Sequence, residues 1–370
     1  MVGLLRSCGA PWAVLGLAVL FSGPQGLCQA AGSGDPSGAA PRQGQVLVRE
    51  MDFKVRLSID RGFRYLLRNQ TTSGTFAGSD GFPVAVDALA GLAFLAGGHT
   101  DEEGPYTEAL RRALVNLLKY QEVSGFFNDS QSRMYGHGFA TLFLAELYGM
   151  TSDRAGTVRS ALKRAVKLIE GSQSEDGGWD YMPIQANFGA ERRMSDTSIT
   201  VCQAMALRAA RNLGIAVDTS VVDRARNYIR RAQNPDGSFS YRMLGDRRIN
   251  LGNPFPRSAA GVCILNSMAR PDDYSRSELR SAKDYLLKNY DSATMFQYYG
   301  RYYCVQAMFQ AGGKYWNSYY PAVRDYLIRT QKSDGSWPNV GFGGSGGAYS
   351  GAMSCIILQV PYRYLPVLQR

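Results

Sequence analysis

Gln173-Ser174-Glu175-Asp176-Gly177-Gly178-Trp179 is the stretch that decides the fold. It separates a basic amphipathic segment, Val158–Ile169, from an apolar one, Ile199–Ala209. The same pattern of glutamine, aspartate, glycine and a large aromatic residue returns elsewhere in the chain. Two further copies are Gln233–Phe239 and Gln331–Trp337, and two degenerate ones are Gln70–Phe76 and Gln121–Phe126. A turn pattern that recurs between helical segments predicts a chain built from repeated helical hairpins.

The spacing of the copies predicts how many hairpins there are. Successive motif glutamines are 51, 52, 60 and 98 residues apart. Because the last interval is about twice the others, a copy that lacks the turn motif should lie inside it. The segments Leu279–Asn289 and Gln297–Gln310 have the helical periodicity to supply that copy. Six hairpins then account for nearly all of the chain after residue 50.

The two helices of each predicted hairpin differ in character. The first is amphipathic and basic, whereas the second is apolar on nearly every face, as in Ala259–Leu265 and Ala352–Leu358. A helix that is apolar all round has to be buried. The sequence therefore predicts an all-α fold over residues 51–370: an α/α6 toroid, which is a double-layered barrel of six helical hairpins with the apolar helices inside.

The start of the chain has the features of an export signal. Arg6 precedes a short apolar run, Pro11–Gly23. A small residue suited to signal-peptide cleavage follows at Ala30. Residues 1–30 are therefore predicted to be a signal peptide, and residues 31–50, rich in Gly, Pro and Ser, a disordered tether. No later stretch is long and apolar enough to cross a bilayer. We expect a secreted or periplasmic protein without a transmembrane segment after the signal.

The distribution of charge bears on nucleic acid as a possible partner. The formal charge is +10, but Lys and Arg are spread over the amphipathic helices and no basic-aromatic nucleic-acid motif is present. Nucleic-acid binding is therefore not expected.

The four cysteines after the signal, Cys202, Cys263, Cys304 and Cys355, each fall in the second helix of a different hairpin. Equivalent points on packed helices are about 8–10 Å apart, so these thiols are predicted to be unpaired and buried.

The aspartates of the turn motif, Asp176, Asp236 and Asp334, could be read as catalytic carboxylates. Three copies at equivalent turns instead indicate a structural role, in which Asp-Gly allows a tight turn with a positive φ at glycine.

This Gln-x-x-Asp-Gly-x-Trp/Phe repeat resembles the QW-type repeat of the prenyltransferase and squalene/terpene cyclase superfamily, in particular its exported bacterial members. The resemblance covers about residues 51–370 and implies the same toroid. The chemistry that it implies depends on motifs that are altered here. Squalene-hopene-type cyclases use Asp-x-Asp-Asp-Thr as proton donor, and the matching stretch is Arg193–Thr197. Asp196 and Thr197 match, but Ser195 replaces the central acid.

The zinc chemistry of the superfamily is altered as well. Protein prenyltransferases hold zinc with Asp-x-Cys and a later His, whereas this chain has Ser198 in place of the cysteine and no histidine after His137. The Cys-Gly-Glu-Gln thioester of complement-type toroids is absent from the sequence. We therefore expect no metal and no cofactor.

The resemblance also implies a cavity beside the N-terminal ends of the inner helices. Aromatic side chains with a few polar groups suit a ligand pocket, and arginines near helix N-termini favour an anion. The predicted ligand-binding residues are Arg193, Arg257, Arg301, Tyr135, Tyr298, Tyr302, Tyr349 and Asp87. The alternative is that the tyrosines fill the barrel centre and the arginines pair with Asp87 and Asp196.

Two catalytic candidates remain. His137 is suited to proton transfer near neutral pH, although a single histidine at a helix start is commonly structural. Asp196 is the other candidate, since it matches one acid of the cyclase motif.

The leading functional hypothesis is a toroid that binds an apolar or anionic-headed ligand, or a protein partner, without the standard catalysis of the superfamily. One alternative is an enzyme on isoprenoid or other lipid substrates with a rearranged site. Another is a glycan-active toroid, which would need two carboxylates about 5–10 Å apart in an open groove.

Overall fold

The computed structural model describes residues 52–76, 81–184, 194–268, 277–291, 296–338 and 346–365. The predicted signal peptide and tether, residues 1–30 and 31–50, lie outside the described residues, and so does Arg193. The described part holds twelve α-helices, one short β-hairpin and a 3₁₀ turn at Val360–Tyr362. The helices are α1 Phe53–Asn69, α2 Pro83–Ala96, α3 Thr107–Lys119, α4 Arg133–Met150, α5 Thr157–Gly171, α6 Thr197–Asn212, α7 Thr219–Arg231, α8 Phe255–Ser267, α9 Ser277–Asn289, α10 Gln297–Ala311, α11 Gly313–Thr330 and α12 Gly346–Gln359.

The even-numbered helices form a closed inner ring, in which each packs on the next and α12 packs back on α2. Helix α8, for example, is buried from Phe255 to Asn266. The odd-numbered helices lie outside and bury only one face, as α7 does with Val222, Ala225 and Ile229. The predicted α/α6 toroid is confirmed. In the described part of the chain, no helix is long and apolar enough to cross a membrane.

The motif glutamines connect neighbouring outer helices around the ring. The Gln173 side-chain amide donates to the carbonyl of Gly177 in its own turn at 2.8 Å and to that of Val221 in the next outer helix at 2.9 Å. Gln331 makes the same two bonds, to Gly335 at 3.0 Å and to Ser58 at 2.9 Å. Because Ser58 belongs to α1, this bond joins the last hairpin to the first. The repeated glutamine therefore supports the closure of the barrel.

The motif glycine is required by a close backbone contact as well as by its own conformation. Gly177 has a φ of 92°, and a Cβ atom there would lie 2.5 Å from the carbonyl oxygen of Arg224 on the next outer helix. The adjacent Asp176 accepts a hydrogen bond from the Gly178 N–H at 3.0 Å and one from the Ser195 hydroxyl at 2.6 Å. The structural role predicted for the turn aspartates agrees with these contacts.

Three details differ from the sequence-based prediction. The second motif copy ends at Phe127 rather than Phe126, since Gln121 forms a bridge with Phe127 as Gln233 does with Phe239. Helix α11 begins at Gly313 and runs through Pro321, although a proline in a sequence normally indicates the start or the end of a helix. Proline removes a helical hydrogen bond, but burial of the aromatic residues before it, including the Trp316–Tyr320 stack at 4.4 Å, offsets that loss.

The third difference is a β-hairpin between α7 and α8 that the prediction lacked. Strand β1, Arg242–Leu244, pairs antiparallel with β2, Arg247–Ile249, across a Gly245-Asp246 turn. Gly245 has a φ of 59°, which glycine adopts readily in a tight hairpin turn.

The four thiols are buried, and none is paired in the described part of the chain. Each lies in a different inner helix, as predicted, where it packs as a small apolar side chain.

Candidate functional site

A cavity of about 700 Å³ lies at the N-terminal ends of the inner helices. All six inner helices contribute to its wall, through Val86, Phe139, Ser198, Pro256, Tyr299 and Tyr349. The wall is mostly apolar and aromatic, and its size falls in the range of small-molecule sites. The barrel centre is therefore open at this end.

The electrostatics of the cavity are positive. Its described lining contains two charged residues, Arg133 and Arg257, and no Asp or Glu. The N-termini of six helices point toward the same space, and their dipoles also favour negative charge. Arg133 is exposed at the start of α4, with its guanidinium carbon 5.9 Å from the centre of the Tyr181 ring.

Arg257 is held rigidly by backbone carbonyls. Its Nε donates to Phe239 at 2.6 Å, and its Nη1 donates to Leu251 at 2.7 Å and to Asn253 at 3.1 Å. Burial lowers the pKa of this guanidinium from its ordinary value. The alternative in which the arginines pair with Asp87 or Asp196 does not hold for Arg257, since its guanidinium donates to carbonyl oxygens and not to a carboxylate.

Asp196 lies directly behind the cavity wall and does not face the space. It is the N-cap of α6, where its Oδ1 accepts hydrogen bonds from the N–H groups of Ser198 at 2.7 Å and Ile199 at 3.2 Å. Its Oδ2 accepts a 2.9 Å bond from the hydroxyl of Tyr181, which lines the cavity and lies 2.9 Å from the Tyr241 hydroxyl. The carboxyl is fully buried, and burial raises its pKa. Tyr181 therefore separates the acid from any bound molecule.

Ser195, at the position of the cyclase acid, is turned away from the cavity. Its hydroxyl donates to Asp176 in the turn, as described above, and its carbonyl accepts a 2.6 Å bond from the Tyr228 hydroxyl. The position that supplies the proton in the cyclase motif is thus built into the scaffold here.

Four inner helices carry, near their start, a polar side chain that accepts a hydrogen bond from the backbone N–H of the aromatic residue of the turn motif. Asp87 accepts the N–H of Phe76 at 2.6 Å, and His137 Nδ1 accepts that of Phe127 at 3.2 Å. The corresponding acceptors in the next two hairpins are the hydroxyls of Thr200, for Trp179 at 3.0 Å, and Ser258, for Phe239 at 2.9 Å. Asp87 and His137 therefore have the same structural role as Thr200 and Ser258, and side chains of different type fill it in different hairpins.

His137 has no access to the cavity. It is fully buried, and its Nε2 lies 3.2 Å from the carbonyl of Ala165, so both ring nitrogens are engaged. Burial lowers its pKa to about 4, which keeps the ring neutral near pH 7. A catalytic role for His137 is not supported by this placement.

The remaining predicted ligand-binding residues divide into two groups. Tyr135 and Tyr349 line the cavity, as Arg257 does. Tyr298, Tyr302, Arg301 and Asp87 are not part of its described wall. Arg301 stacks on Tyr326, with 3.9 Å between its guanidinium carbon and the ring centre, and Tyr298 donates to the Pro338 carbonyl at 2.7 Å. Arg301 and Tyr298 therefore face the outer helix α11 and the last turn rather than the cavity, whereas Tyr302 packs against the lining residue Phe139.

Several lining residues were not predicted from the sequence. Arg133 stands two residues before the predicted Tyr135, and Tyr181, Tyr241 and Leu251 come from connections between helices. The alternation of Tyr241–Leu244 around a Gly-Asp turn was a usable signal for the hairpin. In the residues that the structure describes, no three His, Cys, Asp or Glu side chains cluster as they would around a metal ion.

Comparison with solved structures finds the same architecture in proteins of different activity. The chain is similar to a variant of the type II terpene cyclase MstE from Scytonema in complex with geranylgeranyl dihydroxybenzoate, with a TM-score of 0.58 and 14% identity over 88% of this chain and 100% of that one. It is also similar to the α-1,6-mannanase GH76A of Salegentibacter sp. HEL1_6, with a TM-score of 0.61 and 11% identity over 83% and 99% of the two chains.

A further similar structure is the GH76 α-mannanase BT2949 of Bacteroides thetaiotaomicron, with a TM-score of 0.62 and 10% identity over 86% of this chain and 98% of that one. No protein-family model and no curated protein sequence matches the chain. At these identities the likeness concerns the fold. The chain has the α/α-toroid fold that terpene-cyclase-like proteins share with these mannanases.

Proposed function

We propose that this toroid binds, in the cavity at the N-terminal ends of its inner helices, a largely apolar molecule that carries an anionic group. The observation that supports this most directly is the described lining: aromatic and aliphatic walls with two arginines and no carboxylate. An apolar molecule gains about 25 cal/mol for each Å² removed from water. The arginines and helix N-termini would then select an anionic end over a neutral one.

Binding without the superfamily's catalysis agrees with the position of the acids. Protonation of an alkene needs a carboxylic acid that faces the substrate, and Asp196 is covered by Tyr181. Glycoside hydrolysis needs two carboxylates beside the bond that breaks, and the described lining has none. The mannanase similarity therefore supports a glycan-active alternative through the fold alone.

An enzyme acting on lipid substrates is the second candidate, because of the Tyr181–Asp196 pair. Since burial raises the pKa of Asp196, its carboxyl holds a proton at a higher pH than an exposed one. The Tyr181 hydroxyl donates to Asp196 in the structure, so a relay requires that Tyr181 turn its phenolic proton toward a bound substrate and accept the proton of Asp196 in its place. Turnover that is lost in Tyr181→Phe, while binding is kept, would favour this candidate.

The proposal is tested with two probes of equal chain length, oleate and oleyl alcohol. Oleate should bind more tightly than the alcohol, and Arg133→Gln should reduce the affinity for oleate by about fivefold while leaving that for the alcohol unchanged, as expected for loss of one partly exposed charge pair. Arg133 is the better first variant because it is exposed, whereas Arg257 also holds three carbonyl groups.

Arg159→Gln, on the exposed side of α5, is the matched control and should change neither affinity. Equal binding of oleate to wild type and Arg133→Gln, or no binding of either probe, would contradict the proposal. Native mass spectrometry of the purified protein shows in addition whether a molecule of this class copurifies.

A further inference from the structure

Arg301 is a buried cation that lies outside the described cavity wall. Its side chain faces α11, and the residue is only 4% exposed. Among the residues that the structure describes, none accepts a hydrogen bond from its guanidinium, and no carboxylate forms an ion pair with it. Taking a charge out of water without a partner is costly, so buried arginines are normally paired. The burial of Arg301 therefore calls for a partner that this part of the chain does not supply.

The aromatic contact of Arg301 does not replace a hydrogen-bond acceptor. The ring of Tyr326 lies 3.9 Å from the guanidinium carbon, and the face of a ring attracts positive charge. A guanidinium, however, directs its N–H bonds outward in its own plane, away from a ring stacked on it. The Nε of Arg301 is buried and unsatisfied. Tyr326 thus holds the group in place and leaves its donors available.

A second buried donor lies near Arg301. Tyr319 is two turns before Tyr326 on the same face of α11. Its hydroxyl lies beside the thiol of Cys304, which is one turn after Arg301 on α10. In the described ranges of the chain, no oxygen or nitrogen atom pairs with this hydroxyl. Burial raises the pKa of Tyr319 and the charge of Arg301 opposes that rise, so the two groups are close enough to interact.

The polar groups that meet here offer hydrogen-bond donors. A guanidinium carries N–H groups and no acceptor. The raised pKa of Tyr319 keeps its hydroxyl protonated near pH 7. A species that accepts hydrogen bonds and carries one negative charge complements such a group of donors. Because Arg301 is almost wholly covered, that species has to be small.

We infer that Arg301 and Tyr319 form an anion site between α10 and α11, and that this site holds a chloride ion. The Arg301 Nε and the Tyr319 hydroxyl donate to the ion, and Tyr326 keeps the guanidinium in position. The ion neutralises the buried charge and joins an inner helix to its outer neighbour. The site is separate from the proposed ligand cavity, whose described lining includes neither residue.

The test is urea unfolding in chloride and in gluconate buffers of equal ionic strength, since gluconate is too large for a covered site. Chloride at about ten times its dissociation constant should raise the folded-to-unfolded ratio of the wild type by about tenfold, because it binds the folded state. Arg301→Met keeps an unbranched side chain against Tyr326 and removes the charge, so it should lose this response. In gluconate this variant should be at least as stable as the wild type, because it lacks the uncompensated charge.

Two further variants separate the parts of the site. Tyr319→Phe keeps the ring and removes the hydroxyl donor, so it should need about fivefold more chloride for the same response. Arg329→Gln is the matched control. Arg329 is exposed, and its guanidinium carbon lies 6.0 Å from the centre of the same Tyr326 ring. The control should respond to chloride as the wild type does.

The inference is overturned if the wild type is equally stable in the two salts, or if Arg301→Met keeps the response to chloride. Equal destabilisation of Arg301→Met in both salts would also overturn it, since Arg301 would then act through stacking alone. Crystals grown with bromide should show an anomalous peak beside Arg301, and peaks only at the cavity residues Arg133 and Arg257 would contradict the site. None of these measurements uses oleate, so their failure leaves the proposed function to its own test.

Discussion

At the scale of single residues, the side chains that suggested chemistry prove to have backbone partners. Asp87 and His137 differ in charge and size, but each accepts the N–H of a motif aromatic, as the hydroxyls of Thr200 and Ser258 do elsewhere. A sequence shows the residue type and not its partner. The shared role becomes visible only when the hairpins are compared in space.

His137 gives the protein a pH dependence of known sign. Its pKa is lowered from 6.5 to about 4 in the folded state, so the unfolded state takes up a proton first as the pH falls. The contribution of His137 to folding stability is therefore fully present above pH 6.5 and is lost as the pH falls toward 4, by about 3 kcal/mol. Urea unfolding across this range should show the loss in wild type and a much flatter dependence in His137→Asn.

The partly buried His99 supplies the comparison, since its pKa is also lowered by burial, against the opposing charge of Asp60. His99→Gln should retain most of the loss. An unchanged pH dependence in His137→Asn would contradict the assignment.

At the scale of elements, the helices were predictable and the cavity wall was only partly so. The inner helices are apolar over their whole length and the outer ones on one face, and burial follows that pattern directly. Tyr135, Arg257 and Tyr349 were found because they lie in the first turns of inner helices. Tyr181, Tyr241 and Leu251 lie in connections, whose paths depend on contacts such as Arg242–Asp180 rather than on periodicity.

The turn itself yields a prediction for Gly177. In Gly177→Ala, an alanine has to adopt a positive φ, and its Cβ atom would lie 2.5 Å from the Arg224 carbonyl oxygen. The substitution should therefore lower the free energy of unfolding by about 3 kcal/mol. Gly171→Ala, at the end of the preceding helix with open space around it, should change it by less than about 1 kcal/mol. Equilibrium unfolding of the pair measures the difference, and equal effects would show that the close contact carries no cost.

At the scale of the whole molecule, the closed ring makes the first and last hairpins neighbours. Gln331 both donates to the Ser58 carbonyl and accepts from the Ser58 hydroxyl at 2.9 Å. The sequence indicated six hairpins from the spacing of the motif, and a closed barrel from the second helices that are apolar on nearly every face. It gave no indication that the repeated glutamine itself would make the closing bond.

Removing that bond should loosen one place in the ring. In Gln331→Ala, amide hydrogen exchange should accelerate mainly in α1, which loses its tie to the last turn. Gln173→Ala breaks the equivalent tie to Val221 and should accelerate exchange in α7 instead. Uniform acceleration in both variants would show that the barrel opens only as a whole.

The Gln331–Ser58 bond has one more consequence. The junction between the last and the first hairpin is made by the same glutamine contact as four of the junctions inside the chain, so the packing does not mark where the chain begins and ends. A circular permutant can join residue 365 to residue 52 through a flexible linker and have its new ends in the exposed connection between α6 and α7. Such a permutant would break the backbone between these two helices and keep the contacts between neighbouring hairpins. In such a toroid the packing of the barrel does not determine at which connection the chain begins and ends.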